Sequence, residues 1–312
     1  MFALVNCLHL MNNVHGCWSS VHLCRFLSWK LNKYENPYYY CMSLVRQSDF
    51  ESFLCTSTMP AKYKLAVFSI QAFNVELAGI PARCSSKQSR HGRIEFWKEV
   101  VHGIYKGNVP EHPVAVTLAS SVLKYKLSKR WLLDLVEARR YWLGAEEYRS
   151  LRIMEDYFDR TFSTVLYLIL QICNVEQSEA IRAAGHLGKA LGLVNSIRSI
   201  PHLAAERKIL LPLDLLKLHN FTEFGGQFED SSKWTTVIRD IADHADRHVA
   251  EARKLTKPIL KQAYPALLYA VVVDHHLAVL RRYNYDVFNA ETRRTSPLLV
   301  LNLCKQRLFQ FF

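Results

Sequence analysis

The chain has 312 residues, with 40 Lys+Arg against 28 Asp+Glu and a formal net charge of +12. Half of it is apolar, 22% is charged, and Gly and Pro number only 11 and 10, a mixture that excludes collagen, low-complexity disorder and a disulfide-stapled miniprotein. Mean hydropathy is −0.04, and the longest apolar stretches, 162–172 and 265–280, are too short or are interrupted by Asp274, His275 and His276, which argues against a membrane-spanning helix.

The first carboxylate in the chain is Glu35. Ahead of it stand only Arg25, Lys30 and Lys33 as bases, among Leu, Phe, Trp, Ser and Cys. Asn6, His9, Asn12, Asn13 and His15 interrupt what a secretory signal would keep apolar, so residues 1–36 read as a mitochondrial presequence or leader. Residues 37–312 read as one all-α domain. Eight cysteines at 7, 17, 24, 41, 55, 84, 173 and 304 form no CxxC pair, so scattered free thiols are expected rather than a zinc site. The segment from Arg83 to Arg93, Ser-rich and following Pro81, reads as an exposed basic loop. From Arg93 onward apolar residues recur at helical spacing through Ile94, Trp97, Val101 and Ile104, and again through Val114, Leu118 and Val122. Further helical stretches are expected over 129–142, 146–174, 176–200, 212–219, 234–256 and 259–283. Pro201, Pro212, Pro258 and Pro265 stand near their boundaries. Strand alternation and Asn-Gly or Asp-Gly hairpin turns are absent.

Familiar motifs fail on inspection. The stretch Gly185-His-Leu-Gly188-Lys189-Ala190 lacks both the upstream Gly and the hydroxyl residue of a phosphate-binding loop. Asp240, His244 and His248 share one helical stripe, but a zinc site needs ligands converging from elsewhere, so a solvated face is expected; His275-His276 is likewise expected as a helix-surface pair. No nucleophile elbow or cysteine signature occurs. The basic groups are dispersed and no reading motif accompanies them, which excludes nucleic acid as the expected partner.

Read in order, the helical segments resemble the squalene/phytoene synthase family, and within it the mitochondrial branch that acts in assembly of respiratory complex I. The resemblance covers about residues 40–300 and rests on Tyr40–Arg46 with Asp49-Phe50-Glu51, Val67–Ala78, Arg93–Lys98, His112–Ala115, Glu155–Tyr157 with Ser163–Leu168, His186–Arg198 and Lys208–Pro212. It implies an isoprenoid-synthase-like helical cup. In the enzymes of the family two aspartate-rich helical motifs face each other across the cup and hold Mg²⁺ on a diphosphate leaving group. Mg²⁺ demands oxygen ligands in near-octahedral geometry, and aspartates at i and i+4 place both carboxylates on one helix face.

Where the first motif belongs, this chain has Ala78, Gly79, Ile80, Pro81 and Ala82, with Glu76 nearby; at the second, Asn195 and Arg198 persist while Ser199 and Leu203 stand at the aspartate positions. The implied protein is a non-catalytic relative with no cofactor or metal and no catalytic residues. Its vestigial cavity would be marked by Phe73, Asn74, Glu76, Lys189, Asn195, Arg198, Ser199 and Lys208. The resemblance further implies complex I subunits or other assembly factors as partners, peripheral attachment to the matrix side of the mitochondrial inner membrane, and a cavity suited to a lipid-like ligand. The alternative is an active Mg-dependent prenyltransferase condensing isoprenoid diphosphates with Glu76, Glu206 and Asp214 as unorthodox ligands. Phe73, Phe96, Trp97, Leu166, Tyr167 and Leu193 are expected to be buried.

Overall fold

The computed structural model describes residues 36–143, 147–206, 210–219, 231–255, 261–293 and 297–309, and among them there is no strand. The expected leader therefore lies outside the described residues except for Asn36, as does Lys208. The principal helices are α1 (Pro37–Ser48), α2 (Phe50–Thr58), α3 (Ala61–Ala78), α4 (Lys87–Ile104), α5 (Pro113–Tyr125), α6 (Lys129–Trp142), α7 (Leu151–Phe158), α8 (Thr164–Ile172), α9 (Ser178–Ala205), α10 (Leu213–Leu218), α11 (Ser231–Leu255), α12 (Ala270–Arg282) and α13 (Pro297–Phe309). Their starts follow from local chemistry. The side chains of Asn36, Asp49, Ser86 and Ser150 accept backbone N–H groups in the first turns of α1, α2, α4 and α7, satisfying donors that a helix end otherwise leaves bare.

The helices wrap a continuous apolar core in which Phe73, Trp97, Leu166, Leu187 and Leu193 are fully buried. Phe96 and Tyr167 pack against it half-buried. The most extensive helix pairing joins α9 to α11, and α9 also lies against α7, α8 and α12.

Five expectations are corrected. The segment after Arg83 is helical from Lys87, because Ser86 Oγ accepts the Ser89 N–H at 3.0 Å and starts α4 before its apolar stripe begins. The stretch expected as one helix over 146–174 is divided by a π-helical turn at Asp159–Ser163. Its cause lies in α9: a Cβ on Gly188 would stand 2.3 Å from Ser163 Cα, and one on Gly192 would stand 2.2 Å from Phe158 Cγ. Glycine at these positions lets the wide turn lie directly on the helix, and Ser163 Oγ donates to the Gly185 carbonyl at 2.9 Å. The glycines that mimicked a phosphate loop are helix-packing residues. Next, α9 continues past Pro201 to Ala205 with the proline inside the helix, at the cost of the one backbone bond its missing N–H would have made to the Ile197 carbonyl. Finally, His275 and His276 are 9% and 2% exposed rather than paired on the surface, because α12 is enclosed by α9, α11 and α13. Cys41, Cys55, Cys84 and Cys173 are free thiols. Cys304 is disulfide-bonded, a correction at that residue, since spacing along the chain carries no record of which sulfurs meet in space.

Candidate functional site

The helical cup encloses a cavity of about 820 Å³. Two helix stripes form much of its wall. On α3, Gln71, Asn74, Val75 and Ala78 line it, and on α9 Leu191, Val194, Asn195 and Arg198 do so, each set following the i, i+3, i+4, i+7 spacing of one helix face. Gly79 and Ala82 extend the first wall and Ser199 the second. The α7–α8 segment adds Tyr157, Phe158, Phe162 and Leu166, giving an apolar, aromatic floor.

Of the residues expected at the cavity, Asn74, Asn195, Arg198 and Ser199 line it, whereas Phe73, Glu76 and Lys189 do not. Helix periodicity explains the difference on α3: Phe73 and Glu76 fall about 150° from the centre of the lining stripe. Phe73 points into the core and meets Trp97 edge-to-face at 5.5 Å. Glu76 is 2% exposed and is paired with Arg83 Nη1 at 3.1 Å and Arg93 Nη2 at 3.4 Å. Lys189 stands near Glu155 and His186, close enough to act on both electrostatically. Asp214 accepts the Leu151 N–H at 3.1 Å, so it positions α7, and Glu206 pairs with His202 one turn away. None of the three acids of the alternative enzyme reading is among the residues that line the cavity.

Sequence reasoning placed Arg198 at the cavity but missed its other charged groups, Asp49, Glu51, Arg83 and Arg139. Asp49 and Glu51 are the carboxylates among the described lining residues, and Arg83, Arg139 and Arg198 are the cations. Asp49 caps α2, its Oδ1 accepting the Ser52 N–H at 3.1 Å, and burial raises its pKa. Glu51 stands in the first turn of that helix, a position where the helix dipole favours a negative charge. Its Oε2 accepts from Arg198 Nη1 at 2.8 Å and its Oε1 lies 2.7 Å from His276 Nε2. Burial pushes the Glu51 pKa up, but the His276 and Arg198 contacts outweigh it and hold the carboxyl below its ordinary range. Arg139 Nη1 donates to the Tyr157 hydroxyl at 2.7 Å and Nη2 to Asn74 Oδ1 at 3.2 Å. The Nε atoms of Arg139 and Arg198 are buried with no hydrogen-bond partner among the described residues. The Asp-Phe-Glu triplet ahead of an apolar run is the signal that could have placed Asp49 and Glu51 as a helix start.

A second polar cluster lies at the α7–α9–α11 junction. His186 Nδ1 and His248 Nδ1 are 2.9 Å apart, and His248 Nε2 and His244 Nδ1 lie 3.2 and 3.4 Å from Glu155 Oε1. Asp240, the third member of the stripe, pairs with His219 at 2.6 Å. The stripe therefore bonds across helices instead of facing solvent with partners of its own, as it had been expected to do. Among the described residues, no group of three or more His, Cys, Asp or Glu is arranged to hold a metal ion.

Comparison with known proteins follows the same architecture. The family model described as squalene/phytoene synthase matches residues 45–299. The chain is 36% identical over 267 residues to the human protein "NADH dehydrogenase (ubiquinone) complex I, assembly factor 6", covering 85% of this chain and 80% of that protein. To the Drosophila melanogaster homolog of that factor it is 33% identical over 254 residues, covering 79% of this chain and 76% of the relative. Among solved structures, a dehydrosqualene synthase in complex with ligand superposes with a TM-score of 0.76 at 17% identity, covering 89% of this chain and 98% of that one; this likeness shows the fold.

Proposed function

Because the chain belongs to the squalene/phytoene synthase family, we propose that it is a non-catalytic member acting in assembly of mitochondrial respiratory complex I. The reading is supported by similarity to relatives named as complex I assembly factor 6 in mammals, fly and Dictyostelium. It places the protein in the mitochondrion, attached peripherally to the matrix side of the inner membrane, with residues 1–36 as presequence and complex I subunits or other assembly factors as partners.

The observation that carries the non-catalytic half is the cavity's donor set. The family's reaction needs carboxylates to hold Mg²⁺ on a departing diphosphate. At the positions of the first motif the α3 wall presents Ala78, Gly79 and Ala82, and on α9 Ser199 stands where an aspartate would. The carboxylates at hand are already committed, Asp49 to a helix cap and Glu51 to Arg198 and His276. These residues do not fit a magnesium–diphosphate cluster. Arg139, whose partners Tyr157 and Asn74 are neutral, stands beside the aromatic floor as the lining cation not neutralised by a carboxylate among the described residues, which suits an anionic, lipid-like occupant held without metal.

Incubation of the purified protein with farnesyl or geranylgeranyl diphosphate and Mg²⁺ tests this half. The expected result is diphosphate release no faster than in protein-free buffer; release above that background would restore the enzyme reading.

A further inference from the structure

Three stretches of the chain, 52–75, 100–110 and 112–133, contain no Asp or Glu. The fold brings their basic ends together. Tyr125 Oη donates to the Lys62 carbonyl at 2.7 Å, joining the end of α5 to the start of α3. Tyr105 Oη donates to the Leu127 carbonyl at 2.5 Å, joining the end of α4 to the turn after α5. Lys62, Lys106, Lys124 and Lys126 are exposed on this end, and Lys129 lies with its ammonium 5.6 Å from the Tyr105 ring centre. Lys62 and Lys124 sit over the rings of Tyr63 and Tyr125 at 4.7 and 5.2 Å. Arg130, beside them, pairs with Asp134; the five lysines have no carboxylate partner among the described residues.

An apolar projection rises from the middle of this basic end. Leu123 is 77% exposed, while Leu127, four residues on, is buried and anchors the turn. Lys126, between them, takes a left-handed conformation with φ of 51° at the C-cap of α5. Leu123 lies on the exposed face of α5 with Val116 and Ser120, one turn ahead of Leu127.

We propose that this lysine–tyrosine end is the face by which the protein rests on an anionic lipid bilayer. Ammonium groups held over tyrosine rings, with no carboxylate partner among the described residues, are free to exchange that contact for lipid phosphates. Tyrosine suits the headgroup layer, and an exposed leucine gains by entering the acyl boundary. A nucleic acid would be drawn by the same charge, but it offers the apolar Leu123 tip no medium to enter, whereas a bilayer does. The proposal deepens the peripheral-membrane part of the reading above and rests on it.

Vesicle flotation of the full-length protein tests it, comparing phosphatidylcholine vesicles with vesicles containing about one-third phosphatidylglycerol, over a salt series. Binding to the anionic vesicles is expected to exceed binding to the neutral ones by on the order of tenfold and to weaken with salt. K106E/K124E and, separately, L123S should each reduce it several-fold while melting like the parent protein, since all three side chains are exposed. Equal binding to both vesicle types by the parent protein would overturn the peripheral reading and this proposal with it. Anionic binding that both variants retain would leave that reading standing and overturn the assignment of this face. Loss of vesicle binding to a competing DNA duplex at equal charge concentration would overturn it in favour of nucleic acid.

Discussion

Arg198 on α9 and Glu51 on α2, 147 positions apart in the chain, meet at 2.8 Å beside the cavity. The contact ties α2 to the α9 wall and turns toward structure a carboxylate that would otherwise face the cavity. Glu51 also satisfies His276, which is 2% exposed. Glu51→Ala would leave both partners without their acceptor, and breaking a half-buried pair of this kind costs about 2 kcal/mol. The exposed pair Arg130–Asp134 offers the contrast, with Arg130 at 87% side-chain exposure; Asp134→Ala should change stability by less than about 0.5 kcal/mol. Urea unfolding of the two variants measures both.

Glycines at different places in the fold should respond in opposite directions. Gly188→Ala drives a methyl onto the backbone of Ser163, and a main-chain obstacle cannot rotate away, so a loss of about 2–3 kcal/mol is expected. Gly92 lies inside α4 with nothing within 4 Å of an added Cβ. Gly92→Ala should therefore stabilise the protein by roughly 0.5–1 kcal/mol through helix propensity alone. Thermal melts would read the two shifts with opposite sign.

The histidine junction makes stability depend on pH. Burial lowers the pKa of His186, helped by the charges of His248, Lys189 and Arg182 and opposed by Glu251. Burial lowers that of His244, with Arg247 and His248 adding to it and Glu155 opposing. Between the unfolded value near 6.5 and these depressed folded values the unfolded chain binds more protons. Stability is therefore full above about pH 7 and declines as pH falls through this window. At lower pH Glu155 adds to the loss. Burial raises its pKa, but the bond to His248 and the charges of His248, His244 and Lys189 outweigh that and depress it, so its contribution disappears as it protonates. Melting temperature between pH 7.5 and 5 should fall, and His186→Gln should flatten the upper part of that decline. An unchanged slope in the variant would contradict the assignment.

What the sequence could and could not disclose follows from the range of the forces involved. Helix α6 falls at Lys129–Trp142, where apolar periodicity placed it, because that periodicity is local. Asn74, Asn195 and Arg198 reach the cavity since they share stripes with its other lining residues. Glu76 was misplaced because proximity along the chain does not specify azimuth, and its two arginine partners come from Arg83 and from α4. The π turn at Asp159–Ser163 was illegible for a different reason. It exists where three glycines of another helix allow a close approach, and nothing within residues 159–163 records that contact. The burial of His276 likewise depends on Glu51, far away in sequence.

The central claim concerns what the cell loses without this protein, and native-gel analysis of respiratory complexes after deletion of its gene tests it most directly. Assembled complex I should fall sharply while the other respiratory complexes persist, and reintroduction of the chain should restore it. Normal levels of complex I in the deleted cells would contradict the account.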